Sequence, residues 1–429
     1  MEIGLLLTGD ELLDGAIVDT NSVWFANVLF EKNLHISKKM IVRDNLLEIS
    51  DAMDFLSETC NLIVINGGLG PTSDDLTMKA LSEFSGQELV ENEQWIEELT
   101  NRFGDEVFNK KSTNYKQVYL PEQAEIIFNE IGTACGAILH HSGSWFFLTP
   151  GVAVEFQHMI TKYFFDFVQE KFYELSEFYN TSRLLFLHRE SLVQSTVSSV
   201  DLPREVAVGY RSSPPYIEIK FRSLLENKDK VDLALTKITP LLDDFIVGEH
   251  VSNMAQTLHK SLLASGKKLS LAESFTGGMM AKLLTSNSGC SAYLQGGFLA
   301  YSNQFKKNVI KIEQDIDEQN MDSLDLVFAM ATNTAQKNLS DYVLATTGYA
   351  EPVGDSRAIS FSVALFADGN CYAQKIVCDY KDRYFSRKLG SACAFNMLRL
   401  FLNGKSPLEF NSQALNFSQL EKEVREIKS

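Results

Sequence analysis

The stretch Leu62-Ile63-Val64-Ile65-Asn66-Gly67-Gly68-Leu69-Gly70-Pro71-Thr72-Ser73-Asp74-Asp75-Leu76-Thr77 decides the fold. Residues 62–65 are a short apolar run of strand length. A glycine-rich loop follows, and residues 76–84 then repeat their apolar positions at helical spacing. The same rhythm precedes and follows it: a buried strand over 3–8, a helix over 21–31, a strand over 145–148 closed by Thr149-Pro150-Gly151, and a long helix over 154–172. Alternating strands and helices predict a parallel sheet covered on both faces, with ligands at the carboxyl ends of the strands.

The loop after Ile65 lies at such an end. Its three glycines let backbone N–H groups approach an anion, and the helix N-terminus adds positive potential. Asp74 and Asp75 would repel a phosphate there unless a cation lay between, as when Mg²⁺-like ions bridge carboxylates and substrate phosphates. The plainer alternative is a glycine turn with Asp and Ser as helix caps. Three further loops reach the same sheet edge: Thr8-Gly9-Asp10-Glu11-Leu12-Leu13-Asp14-Gly15 leading to Asp19-Thr20-Asn21, then Gly132-Thr133-Ala134-Cys135-Gly136, and Pro150-Gly151 with Glu155 one helical turn beyond.

A chain of 429 residues exceeds one ordinary core and implies two or three domains. With 39 Lys+Arg against 56 Asp+Glu, the net charge of −17 opposes binding to nucleic acid or anionic membrane. Six scattered cysteines form no C-x-x-C pair, and the seven histidines lack metal-binding spacing. No apolar run reaches membrane-spanning length and Asp10 and Glu11 interrupt the first one, so a cytoplasmic protein is expected. Residues 184–247 read as strand, helix, strand, strand, helix, strand, the split βαβ of a ferredoxin-like unit. A third α/β unit follows, and the polar residues 411–429 read as a frayed tail helix.

The third unit holds Ala272-Glu273-Ser274-Phe275-Thr276-Gly277-Gly278 between a strand and a helix. A serine at such a turn, beside glycines with free N–H groups, has the geometry of a nucleophile next to an oxyanion site. It is equally the ordinary position of a helix cap. No histidine occurs after His259, which excludes a Ser-His-Asp triad within this unit. The remaining base is a lysine: in Tyr301-Ser302-Asn303-Gln304-Phe305-Lys306, a buried, deprotonated Lys306 could take the Ser274 proton. The alternative is a solvated lysine beside Lys307.

These motifs resemble the CinA (competence/damage-inducible protein A) family across nearly the whole chain. The first is similar to the family's Gly-Gly-Leu-Gly-Pro-Thr-x-Asp-Asp signature. The second is similar to the family's carboxy-terminal domain at residues 272–274, 276–278, Gly289, Ser291, 297–298, 301–303, Lys306, Ser323, Thr347-Gly348, and Asp382-Arg383 through Arg387. The resemblance implies a molybdopterin-binding-like α/β/α sandwich over 1–172 with ADP-ribose pyrophosphatase activity. It further implies a small ferredoxin-like α+β domain over 173–250, and an α/β/α domain of the nicotinamide mononucleotide deamidase type over 251–410, before the tail. Carried over by position, Asp74 and Asp75 serve a divalent metal (Mg²⁺, Mn²⁺ or Co²⁺, with K⁺ sometimes assisting) and Asp75 the attacking water. Gly67, Gly68, Gly70 and Thr72 hold phosphates, and Glu11, Asp19 and Asn21 form the facing wall, Glu11 and Asp19 also as metal ligands. In the other domain Ser274 is nucleophile, Lys306 base and Tyr301 its orienting partner. Thr276, Gly277, Gly278, Thr347 and Gly348 line the substrate, and Arg383 meets its phosphate. ADP-ribose and nicotinamide mononucleotide are the implied substrates, and a homodimer the implied assembly.

Cys135 and Ala153 stand where the family has prolines, and Phe275 where it has cysteine, adding bulk beside the nucleophile. The run Tyr349-Ala350-Glu351-Pro352-Val353-Gly354-Asp355-Ser356-Arg357-Ala358 replaces a longer, neutral, glycine-rich loop. Its acids oppose an anionic nucleotide unless Arg357 compensates. The expected function is therefore a bifunctional hydrolase. The alternatives are a pyrophosphatase with a degenerate C-terminal domain, or a non-enzymatic pterin- or nucleotide-binding regulator.

Overall fold

Ile3–Thr8 (β1) is buried along its whole length and forms the middle of a sheet, as expected of a continuous apolar run. The computed structural model describes residues 1–32, 34–104, 108–172, 178–317, 319–354, 356–409 and 417–427. It divides into two units, Met1–Phe178 and Tyr179–Ser429.

In the first unit β1 pairs in parallel with Ile36–Val42 (β2) and Leu62–Asn66 (β3). With Glu125–Ile127 (β4), Gly136–His141 (β5) and Ser144–Thr149 (β6), the sheet order is β2-β1-β3-β6-β5-β4. Strand β6 is parallel to β3, but β5 is reversed and pairs antiparallel with both β6 and β4, so the sheet is mixed rather than wholly parallel. A tight turn from β5 to β6 needs no crossover helix, which is why the direction reverses there. Helices Asn21–Glu31 (α1), Leu46–Ser57 (α2) and Thr77–Ser85 (α3) cover the faces, with separate apolar clusters on each side. The long helix expected at 154–172 spans Ala153–Phe172, with a π-turn at Ile160–Phe164.

The second unit begins with the four-stranded sheet of Phe178–Phe186 (β7), Ala207–Ser213 (β8), Tyr216–Leu224 (β9) and Ile246–Glu249 (β10), ordered β8-β9-β7-β10, the ferredoxin-like order. Leu184, Phe186, Tyr216 and Val247 share one apolar core with the residues that follow, so this sheet packs within the second unit. The larger sheet contains Leu269–Glu273 (β11), Leu294–Leu299 (β12), Tyr342–Tyr349 (β13), Ala358–Ala367 (β14), Asn370–Asp379 (β15) and Phe417–Glu426 (β16). Its order is β12-β11-β13-β14-β15-β16; β12, β11 and β13 are parallel, the rest antiparallel. Helix Arg383–Leu402 (α4) is buried without interruption from Leu389 to Leu398.

The tail corrects the sequence reading. Residues expected as a frayed helix form β16, whose backbone occupies the open hydrogen-bonding edge of β15. Alternation of Leu420, Lys422 and Val424 with Glu421, Glu423 and Arg425 suits an edge strand, and charge along it guards against further pairing.

Candidate functional site

At the carboxyl end of the first sheet, a cavity of about 490 Å³ is lined by Gly67 to Pro71, Asp74 and Asp75, and faced by Thr8, Glu11, Asp44, Gln117 and Glu155. Gly67 and Gly68 have φ of 113° and 65°, and the Thr77 hydroxyl donates to Gly67 O at 2.9 Å to fold the loop over α3. The Gly67 N–H is spent on Thr149 O, so among the described residues only Gly68 and Gly70 of these three keep N–H groups available for an anion.

Asp75 accepts from Thr72 N at 2.8 Å and from its hydroxyl at 2.5 Å, so it braces the loop; it does not cap α3, whose first turn has no side-chain cap. Lys116 then donates to Thr72 O and to Asp75 O at 2.7 Å. The sequence reading missed this clamp. Asp74 is held below the usual carboxylate range, first by a Thr72 hydrogen bond and further by Lys116. Asp44, at the end of β2, was also missed. Burial, then the charges of Glu11, Asp10 and Asp74, push it up. Its signal was position alone, after a strand whose Lys38-Lys39 pair hid the apolar pattern.

Asp19 is a correction. It is paired with Lys39 and accepts from Ser22 N and Oγ, which takes it out of the cavity shared by Asp74 and Asp75. Asn21 donates to Asn66 Oδ1 at 3.0 Å and to Gly151 O at 2.8 Å; with Asp19 it lines an adjoining cavity of about 240 Å³ that shares Glu11. No three His, Cys, Asp or Glu among the described residues form a ready ligand cluster. The crowded charges of Glu11, Asp44 and Asp74 nevertheless fit a cation held by one or two carboxylates together with a substrate's phosphates. Cys135 is buried, its thiol pushed up to about 12, and so is inert.

In the second unit the Ser274 turn is built by Glu273, whose carboxylate accepts from Thr276 Oγ1 at 2.6 Å and from the N–H groups of Gly278, Met280 and Ala281 at 3.0, 3.1 and 2.8 Å. Glu273 therefore caps helix Met279–Thr285, the role the sequence left open for Ser274. The Ser274 hydroxyl is uncommitted among the described residues. The glycine N–H groups expected to be free are not: Gly277 donates to Ser274 O and Gly278 to Glu273. Thr276 is fully buried, tied to Glu273 and Thr346, and Thr347 donates to Met321 O; both shape the turn rather than face a substrate. Gly348, φ 134°, passes so close to Phe361 and Ser360 that a side chain would clash. Phe275 stacks on Phe361 at 4.6 Å inside the core and adds no bulk at the nucleophile.

Lys306 is fully buried, and among the described residues its amine has Asn303 Oδ1 at 3.4 Å as its one hydrogen-bond partner and no carboxylate in a salt bridge. Burial holds its amine down at about 8, the state a general base requires. It follows β12 and Ser274 follows β11; these strands are parallel neighbours, and Ala300 N donates to Glu273 O where both end. Tyr301 is exposed and its hydroxyl accepts from Arg383 at 2.7 Å rather than orienting Lys306. Arg383 also pairs with Glu351 at 3.1 Å, so Arg383, not Arg357, compensates that acid. Asp355 lies outside the described residues. Arg387, one turn further on α4, lays its guanidinium over Gly277, and its Nε has no hydrogen-bond partner among the described residues.

Among the described residues no helix is long and apolar enough to cross a membrane. Residues 4–170 match the family model of a probable molybdopterin binding domain, and residues 251–402 that of the CinA C-terminal domain. A CinA-like protein of Shewanella woodyi is 37% identical over 98% of this chain and all of its own length. One of Shewanella pealeana is 37% identical over 95% and 97%. The solved CinA protein of Thermoplasma acidophilum is 28% identical over 38% of this chain and 96% of its own, with a TM-score of 0.37. With relatives this similar over their full lengths, the chain belongs to the CinA family.

Proposed function

We propose that the chain is a bifunctional hydrolase of pyridine nucleotides, a nicotinamide mononucleotide deamidase at the Ser274 turn and an ADP-ribose pyrophosphatase at the glycine-rich loop. The observation that carries the reading is Lys306: a fully buried amine titrating near 8, at the same sheet edge as an uncommitted serine, is a costly arrangement that a packing role does not require. In the proposed reaction neutral Lys306 removes the Ser274 proton as Oγ attacks the carboxamide carbon. The lysine returns that proton to the leaving nitrogen, releasing ammonia, and water then cleaves the acyl ester to the carboxylate.

For the first site, Gly68 and Gly70 N–H groups would receive phosphate oxygens, and one or two of the carboxylates of Asp44, Glu11 and Asp74 would, together with those phosphates, hold a divalent cation, which would supply charge neutralisation at the pyrophosphate. Lys116 and Asp75 keep the loop in place. Purified protein incubated separately with nicotinamide mononucleotide and with ADP-ribose plus Mg²⁺ tests both halves. Ammonia release abolished by Ser274→Ala, and AMP release abolished by Asp74→Asn, are expected; release of neither product overturns the reading.

A further inference from the structure

Arg383 and Arg387 lie four residues apart on α4 and so share one face of it. That face meets the Ser274 turn: the Arg387 guanidinium lies within about 3.1–3.4 Å of where a side chain on Gly277 would begin, and Gly277 N donates to Ser274 O. Among the described residues Arg387 Nε is buried without an acceptor, an unused donor at an arginine pair of the kind that takes two oxygens of a phosphate. The partner arginine is occupied. Its Nη1 holds Glu351 at 3.1 Å and its Nη2 holds the Tyr301 hydroxyl at 2.7 Å, which joins the loop after β13, the start of α4 and the loop after β12.

We infer that Glu351 is a built-in counter-anion of this arginine pair, competing with the phosphate of a substrate, so that the C-terminal site handicaps phosphorylated carboxamides against unphosphorylated ones. The inference rests on the amidohydrolase reading above. Glu351 and Arg383 are 55% and 40% exposed, so their pair is weak and a dianionic phosphate can displace it. The carboxylate therefore acts as a graded discriminator, raising KM for the phosphorylated substrate while the attack by Ser274 is untouched. Its removal should strengthen phosphate binding up to about fivefold, the factor a surface ion pair can supply.

The test uses the full chain and Glu351→Gln, with Arg383→Gln added as a second change. KM and kcat for ammonia release are measured with nicotinamide mononucleotide and with nicotinamide riboside, and ribose 5-phosphate binding is measured by calorimetry. Glu351→Gln should lower KM for the mononucleotide several-fold at constant kcat, tighten ribose 5-phosphate by the same factor, and spare the riboside KM; Arg383→Gln should erase both gains. Equal shifts for the two amides, or no shift for either, overturn the inference while leaving the amidohydrolase standing. If neither amide releases ammonia from the wild-type protein, the amidohydrolase reading falls, and unchanged ribose 5-phosphate binding in Glu351→Gln then overturns the counter-anion as well.

Discussion

Replacing Lys306 with methionine keeps the volume of the side chain and removes the amine, so it separates what that amine costs from what it does. A lysine that ordinarily titrates near 10.5 is held at about 8 by burial alone. Below pH 8 both folded and unfolded chains carry the proton, and the folded state bears the full penalty, about 3 kcal/mol. Between pH 8 and 10.5 the unfolded chain binds more protons than the folded one, so wild-type stability rises with pH and the penalty fades. Lys306→Met should therefore unfold later than wild type at pH 7, by up to about 3 kcal/mol, with the advantage lost as pH climbs past 10.5. Urea unfolding of both proteins at pH 7 and pH 10.5 reads this difference. Ammonia release, if Lys306 is the base, should rise through about pH 8 in wild type and be absent from the variant. A variant no more stable at neutral pH, or one that still releases ammonia, refutes the assignment of a buried neutral amine as base.

Asp44→Asn should weaken Mg²⁺-dependent AMP release by an order of magnitude or more while Asp19→Asn leaves it intact, since Asp19 is spent on Lys39 and Ser22; equal losses in steady-state assays would return Asp19 to the site. Glu273→Ala strips the acceptor from Thr276, Gly278, Met280 and Ala281, and should cost about 1–3 kcal/mol in denaturant unfolding as well as abolishing ammonia release. Truncation after Glu409 removes β16 and exposes the β15 edge; concentration-dependent aggregation by light scattering is expected, where loss of a frayed helix would change nothing.

Much of the fold was legible because its central strands are continuous apolar runs and its helices carry apolar stripes; residues 21–31 match their helix end to end. Edge elements were not. Strand β2 carries Lys38 and Lys39 because it is an edge, and β16 is too charged to announce itself; the protections that keep edges from aggregating also erase the pattern. At the sites, motifs identified Ser274, Lys306 and the glycine-rich loop, since chain proximity suffices for those. Glu273 as cap, Lys116 as clamp, Asp44 in the cavity and Glu351 on Arg383 depend on which loops meet, and periodicity says nothing of that. Phe275 shows the converse: a bulky residue beside the nucleophile in sequence points into the core in space.

The central claim is that Ser274 and Lys306 form a working amidohydrolase in this chain. The most direct measurement is ammonia release from nicotinamide mononucleotide by the wild-type protein and by Ser274→Ala, with AMP release from ADP-ribose followed in the same preparations as a control on folding. Ammonia from the wild type alone, with AMP from both proteins, is the predicted result. Ammonia from neither, with AMP release intact, would contradict the claim and leave a pyrophosphatase with a degenerate C-terminal domain.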